Sequence, residues 1–289
     1  MKPMRLFAAL ALGGITAMAA TGASATVFDL DEFWVVKNGG EIYRDSFDDG
    51  AAPGSGPDDA ILGEPTYVMT GSMTESGGRA HLDTAAGVLR TTPTGGQSLV
   101  TKARRKRSQN PASSQFLGFG DSFEVHGLLD LTSLPAEAGE RVGVRVTDRS
   151  GSNTDPDDVL RIDLTRSAGG GLEVSLMRLD YASGLTTIID SLALTLTGVE
   201  DQIDLHLFKG QNSNTVFGGF TLLDGGTGLG TTVLSTGGDI YHGEAFTRAG
   251  FHATKILVAV PEPAAALLLG GGLLAFAGLR RRRAGPARG

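Results

Sequence analysis

Apolar and polar residues alternate along much of this chain. Val142, Val144 and Val146 alternate with Gly143, Arg145 and Thr147, and Leu160, Ile162 and Leu164 with Arg161, Asp163 and Thr165. Leu172, Val174 and Leu176 alternate with Glu173 and Ser175, Phe123 and Val125 with Glu124 and His126, and Ile203, Leu205 and Leu207 with Asp204 and His206. A period of two belongs to strands that bury one face and wet the other. Arg145, Asp163, Asp204 and His206 are accordingly expected on wet faces. Further strands are expected at 27–37, 67–70, 80–83, 88–91 and 98–101, the short ones separated by glycine turns, and Gly169-Gly170-Gly171 and Ser183-Gly184 are turn chemistry between the later, alternating segments. No segment of helical period and useful length lies between Val27 and Val258. Many short antiparallel strands with half-polar faces predict an all-β fold, two antiparallel sheets packed as a sandwich or jelly roll.

Both ends break this pattern. Lys2 and Arg5 precede an apolar stretch over 6–20, and Ala23-Ser24-Ala25 is a small-x-small cleavage site. Residues 1–25 therefore read as a secretory signal peptide, with Thr26 the first mature residue. At the other end, Val260-Pro261-Glu262-Pro263 leads into sixteen uncharged residues, Ala264 to Leu279, and then Arg280, Arg281, Arg282 and Arg283. Pro263 suits a first helical position, and the run that follows is apolar on every side. At about 1.5 Å per residue it reaches roughly 24 Å, a little short of a hydrocarbon core of about 30 Å. Four arginines would stop transfer and stay in the cytoplasm. A transmembrane helix is expected over 264–279, and the chain divides into a leader (1–25), a β-sandwich domain (26–259) and a tail (260–289).

Pro261-Glu262-Pro263, an apolar helix and a terminal arginine cluster, in that order, resemble the PEP-CTERM sorting signal of bacterial exported proteins. The resemblance covers about the last tenth of the chain. It implies recognition by an exosortase-type protease, transient anchoring in the inner membrane, cleavage near the motif, and delivery to the cell surface or an extracellular polymer matrix. The succession FEVHGLLDL, RVGVRVTD, VLRIDLTR, GLEVSLMRL, TTIIDSLALTL, QIDLHLF and TVFGGFTLLD is similar in pattern and size to concanavalin-A-like (laminin-G-like) jelly rolls. In that family the concave face and rim loops often bind glycans or Ca²⁺, and some members hydrolyse polysaccharides.

Composition narrows the middle. The full chain has a net charge of −7, but Lys2, Arg5, five tail arginines and Glu262 lie in the end segments, leaving 18 basic and 31 acidic residues, a balance of −13. Such a surface repels phosphate polymers, so nucleic acid is not an expected partner. The basic run Lys102 to Arg107 is brief and lacks interleaved aromatics, and reads as an exposed loop. Cysteine is absent. The domain must therefore hold itself by burying a core, and thiolate metal sites and cysteine nucleophiles are excluded.

Candidate chemistry is sparse. Asp204 with His206, and Glu124 with His126, each set a carboxylate and an imidazole on one strand face, and Arg161 with Asp163 does the same with a guanidinium. Asp163, Asp204 and His206 are the candidate glycan-binding residues, supplying hydrogen bonds to sugar hydroxyls. Asp155, Asp157 and Asp158 offer oxygens for a candidate Ca²⁺ site. A second acidic stretch, Asp45 to Gly50, lacks a distal glutamate and reads as a solvated turn. His81, His126, His206, His242 and His252 form neither HxH nor HxxxH, which gives zinc no support. The Glu-x-Asp-x-x-Glu type of pattern on which hydrolases of the resembled fold place their acids does not occur, and neither does a G-x-S-x-G elbow. The expectation is an exported, non-catalytic surface or extracellular-matrix protein that binds glycan. The alternatives are a secreted polysaccharide-active hydrolase of the same fold and a purely structural matrix component.

Overall fold

The computed structural model describes residues 26–48, 67–91, 97–105, 117–148, 158–180, 186–239 and 247–257. The segments expected to form a signal peptide (1–25) and a sorting tail with a transmembrane helix (260–289), and the candidate calcium residues Asp155 and Asp157, lie outside them. Among the described residues all regular structure is β, and no helix is long and apolar enough to cross a membrane. In chain order the strands are β1 (Val27–Lys37), β2 (Gly40–Asp45), β3 (Tyr67–Thr70), β4 (Ser72–Glu75), β5 (Ala80–Asp83) and β6 (Val88–Thr91). Then come β7 (Gln97–Arg105), β8 (Phe123–Asp130), β9 (Glu140–Asp148), β10 (Asp158–Arg166), β11 (Leu172–Asp180) and β12 (Thr186–Leu194). Last are β13 (Gln202–Lys209), β14 (Thr215–Asp224), β15 (Thr227–Val233), β16 (Gly238–Asp239) and β17 (Thr247–Leu257).

Among the described residues every strand pairing is antiparallel, and the strands form two sheets. Sheet A runs β15-β14-β13-β8-β1-β5-β4, with β2 added to β1 and β16 to β14. Sheet B runs β12-β11-β10-β9-β17-β7-β3, with β6 added to β7. The two pack face to face, chiefly β8 and β13 against β9 and β10. The expected sandwich is therefore the architecture observed. The alternating apolar positions meet in the middle. Phe123, Val125, Ile203, Leu205 and Leu207 come from sheet A and Val142, Val144, Val146, Leu160, Ile162 and Leu164 from sheet B, all buried. Gly127 has a specific reason to be glycine, because a Cβ there would press on Val144 of the opposite sheet.

Strand β1 shows how a broken alternation is absorbed. Phe28 and Leu30 point inward, and so do Phe33 and Val35, although Leu30 and Phe33 are three apart. A bulge places Leu30 opposite Leu129 and Glu32 opposite Leu128, leaving Asp31 as the extra residue. One inserted residue shifts the phase so that both halves bury their apolar side chains. Phe33 then joins a cluster of rings, 5.1 Å from Phe251 and 5.9 Å from Tyr43, with Tyr67 a further 5.3 Å from Phe251. The acidic stretch from Asp45 is tied to this cluster: the buried Asp45 carboxylate accepts hydrogen bonds from Tyr67 Oη at 2.7 Å and from the Phe47 amide at 3.1 Å. Asp45 is a core anchor, where a solvated turn was expected.

Candidate functional site

The polar face of sheet B departs most from the sequence-based expectation. Lys102 on β7, Arg248 and His252 on β17, Arg141 and Arg145 on β9, and Arg161 and Asp163 on β10 all point away from the apolar core, yet all are buried. Arg145, expected in water, is 5 % exposed, and Asp163 is fully buried. Register explains how they meet. Asp163 and His252 both lie opposite Gly143, one on each flanking strand. Glycine projects nothing between them, so His252 Nε2 comes within 3.1 Å of Asp163 Oδ1. Arg161 Nε sits 3.0 Å from Asp163 Oδ2, and Arg141 Nη1 3.9 Å from the same oxygen. Met177 on β11 closes the group, its sulfur 3.1 Å from Arg141 Nη1.

These neighbours set the protonation states. Burial opposes ionisation of Asp163, but Arg161, His252 and Arg141 outweigh it and hold the carboxyl below its ordinary range. Burial pushes His252 down to about 4 against the pull of Asp163, and Arg161 and Arg145 push the same way. Arg141 is lowered to about 10 by burial and by Arg161. At neutral pH the face holds an ionised aspartate and a neutral imidazole among guanidinium groups.

On the outer face of sheet A a second group runs across the strands. Arg44, Trp34, His126, His206 and Gly219 occupy successive opposed positions on β2, β1, β8, β13 and β14. The Arg44 guanidinium lies 4.9 Å from the Trp34 ring centre. His126 stacks on the other side of Trp34 at 4.5 Å, with planes 6° apart. The His206 ring follows at 5.2 Å from His126. Both faces of the indole are thus covered, so Trp34 offers no open platform for a sugar ring. Asp204, two residues before His206 and on the same face, lies 3.0 Å through Oδ2 from His126 Nδ1. Glu124 Oε2 lies 3.2 Å from His126 Nε2. Both partners are carboxylates, so both imidazole nitrogens donate. Burial opposes charge on His126, but the bonds to Asp204 and Glu124 prevail and raise it above the ordinary histidine range. Burial likewise raises Asp204, yet its two histidines hold it low overall.

The three candidate glycan-binding residues therefore fall on opposite sides of the molecule. Asp204 and His206 stand together on sheet A, while Asp163 lies within the charged face of sheet B. Asp158 is the first residue of β10, opposite Asp180 of β11, and so belongs to a strand. The run beginning at Lys102 is corrected too: β7 continues through Arg105, and Lys102 is buried, so its first four residues are strand where an exposed loop was expected. Sequence spacing missed the approach of His126 to His206, because the two sit on neighbouring strands about 80 residues apart in the chain. The repeated carboxylate-x-histidine on two strands was the available signal.

No protein-family model matches the chain, and no curated protein matches it. Among solved structures, the chain is similar to a Bacillus licheniformis β-glucanase at 13 % sequence identity and a TM-score of 0.30, over 59 % of this chain and 71 % of that one.

Proposed function

We propose that this is an exported, non-catalytic surface or matrix protein, delivered by an exosortase-type sorting system, which holds an acidic polysaccharide on the polar face of sheet B. One observation carries the binding half. Four adjacent strands, β10, β9, β17 and β7, turn Arg161, Arg141, Arg145, Arg248 and Lys102 to a single face, in a domain whose overall balance is acidic. Guanidinium groups pair with carboxylate or sulfate in a two-pronged geometry. The remaining acidic surface would repel such a polymer and leave one orientation for it. The basic side chains are buried, so binding requires that face to open. Binding should then alter amide exchange in β9, β10 and β17. The sorting half rests on Pro261-Glu262-Pro263 and on Arg280, Arg281, Arg282 and Arg283 at their stated spacing.

Titration against a polyuronate, a sulfated polysaccharide and a neutral glucan tests the binding half. Acidic polymers should bind and the neutral one should not, with affinity falling as salt rises. Arg161→Gln should weaken binding about tenfold or more with the β-type spectrum retained, since a bond to a charged group contributes about 1.5–3 kcal/mol. Equal binding of the neutral glucan, or no binding with the fold intact, would sink the reading. Reducing ends released from any of the three would favour a hydrolase, which needs two carboxylates roughly 5 to 10 Å apart.

A further inference from the structure

We propose that His126, Asp204 and His206 form a binding site for one divalent transition-metal ion, with zinc the matching ion, on the outer face of sheet A. One ligand atom from each of the three residues already lies within 4.8 Å of the others. The Nδ1 atoms of both histidines flank the same oxygen, Asp204 Oδ2, at 3.0 Å for His126 and 3.7 Å for His206. Around a tetrahedral zinc with bonds of about 2.0–2.2 Å, neighbouring donors sit about 3.3–3.6 Å apart, so the group closes on an ion by small side-chain rotations. Two imidazoles and a carboxylate suit zinc and its neighbours in the series, whereas calcium and magnesium prefer all-oxygen shells.

Three further observations point to a ligand. His206 is 8 % exposed, and its Nδ1 has no hydrogen-bond partner although it is buried. A buried polar nitrogen without a partner is costly, and an ion beside Asp204 would satisfy it. Gly219 makes room for the ring, since a Cβ at that position would overlap His206 Nε2. The far nitrogen of His126 is held by Glu124 and its ring plane by Trp34. A carboxylate behind a ligating histidine fixes the ring and strengthens the donor, as metal sites require. The ion would replace the proton on His126 Nδ1, leaving Glu124 to accept from Nε2.

The test is calorimetric titration of the full chain, stripped with chelator, against zinc chloride, with calcium and magnesium chlorides as comparisons. One zinc per chain is expected, and an excess of calcium or magnesium should not displace it. Cobalt(II) loaded in place of zinc should give the visible spectrum of a four-coordinate ion. His206→Ala and Asp204→Asn should abolish stoichiometric binding, and Glu124→Gln should weaken it about 10- to 100-fold. His252→Gln, on the other sheet, should leave it unchanged. Zinc should also raise the melting temperature of the parent chain, a readout that does not depend on any variant folding. Absence of stoichiometric zinc in the parent, or full retention in folded His206→Ala, would overturn the site and leave a hydrogen-bonded histidine cluster.

Discussion

A glycine decides the chemistry of the charged face of sheet B. Any side chain at Gly143 would stand between Asp163 and His252, and a Cβ there would collide with the backbone of Ile162 and Asp163. The contact it allows predicts an acid sensitivity. His252 is held near 4 in the folded protein, against about 6.5 in an unfolded chain. Between those values the unfolded state binds more protons, so stability is fully present above about pH 6.5 and falls as pH drops toward 4. The loss amounts to about 3 kcal/mol. Urea unfolding across that range should show the decline, and His252→Gln should flatten it. An equally steep decline in the variant would assign the effect elsewhere.

Along an element, alternation could be read directly wherever it was unbroken. Val142, Val144 and Val146 announced β9 because a strand's inward side is set by its own residues. Arg145 was misjudged because the fate of the other side depends on β10 and β17, whose pairing no local pattern records. The same reason hid the meeting of His126 and His206. Strand β1 makes the dependence on phase testable. With Asp31 as the extra residue of its bulge, deletion of Glu32 restores plain alternation and keeps Phe33 and Val35 inward. Insertion of an aspartate between Trp34 and Val35 instead sets a charge at the inward position of Val35 and turns Val35 outward, and a slip of one residue turns a strand's apolar set to solvent. Circular dichroism and thermal melting should find the first variant folded, though weakened by loss of the Glu32–Arg44 ion pair, and the second unfolded. The reverse order would refute the bulge reading.

At the scale of the whole molecule, the proposed processing can be set against the fold. Thr26, the expected first mature residue, donates through Oγ1 to Glu140 Oε1 at 2.7 Å, and its carbonyl accepts from the Thr84 amide at 3.2 Å. Cleavage after Ala25 would keep those bonds, whereas a cut even one residue later would remove the hydroxyl. Intact-mass measurement of the secreted protein should give a chain beginning at Thr26 and ending near Pro261 to Pro263. Secreted chains that retain Arg280 to Arg283 would contradict it. Strand β17 adds a consequence of its own. It is the final strand described, yet it lies inside sheet B, bonded to β9 on one side and β7 on the other. A chain interrupted before Thr247 would leave β12-β11-β10-β9 and the β7 group as two pieces with bare edges, the kind of surface that aggregates. Among the described strands the keystone comes last in the chain, so copies truncated before Thr247 should betray themselves by aggregating, whereas complete ones should not.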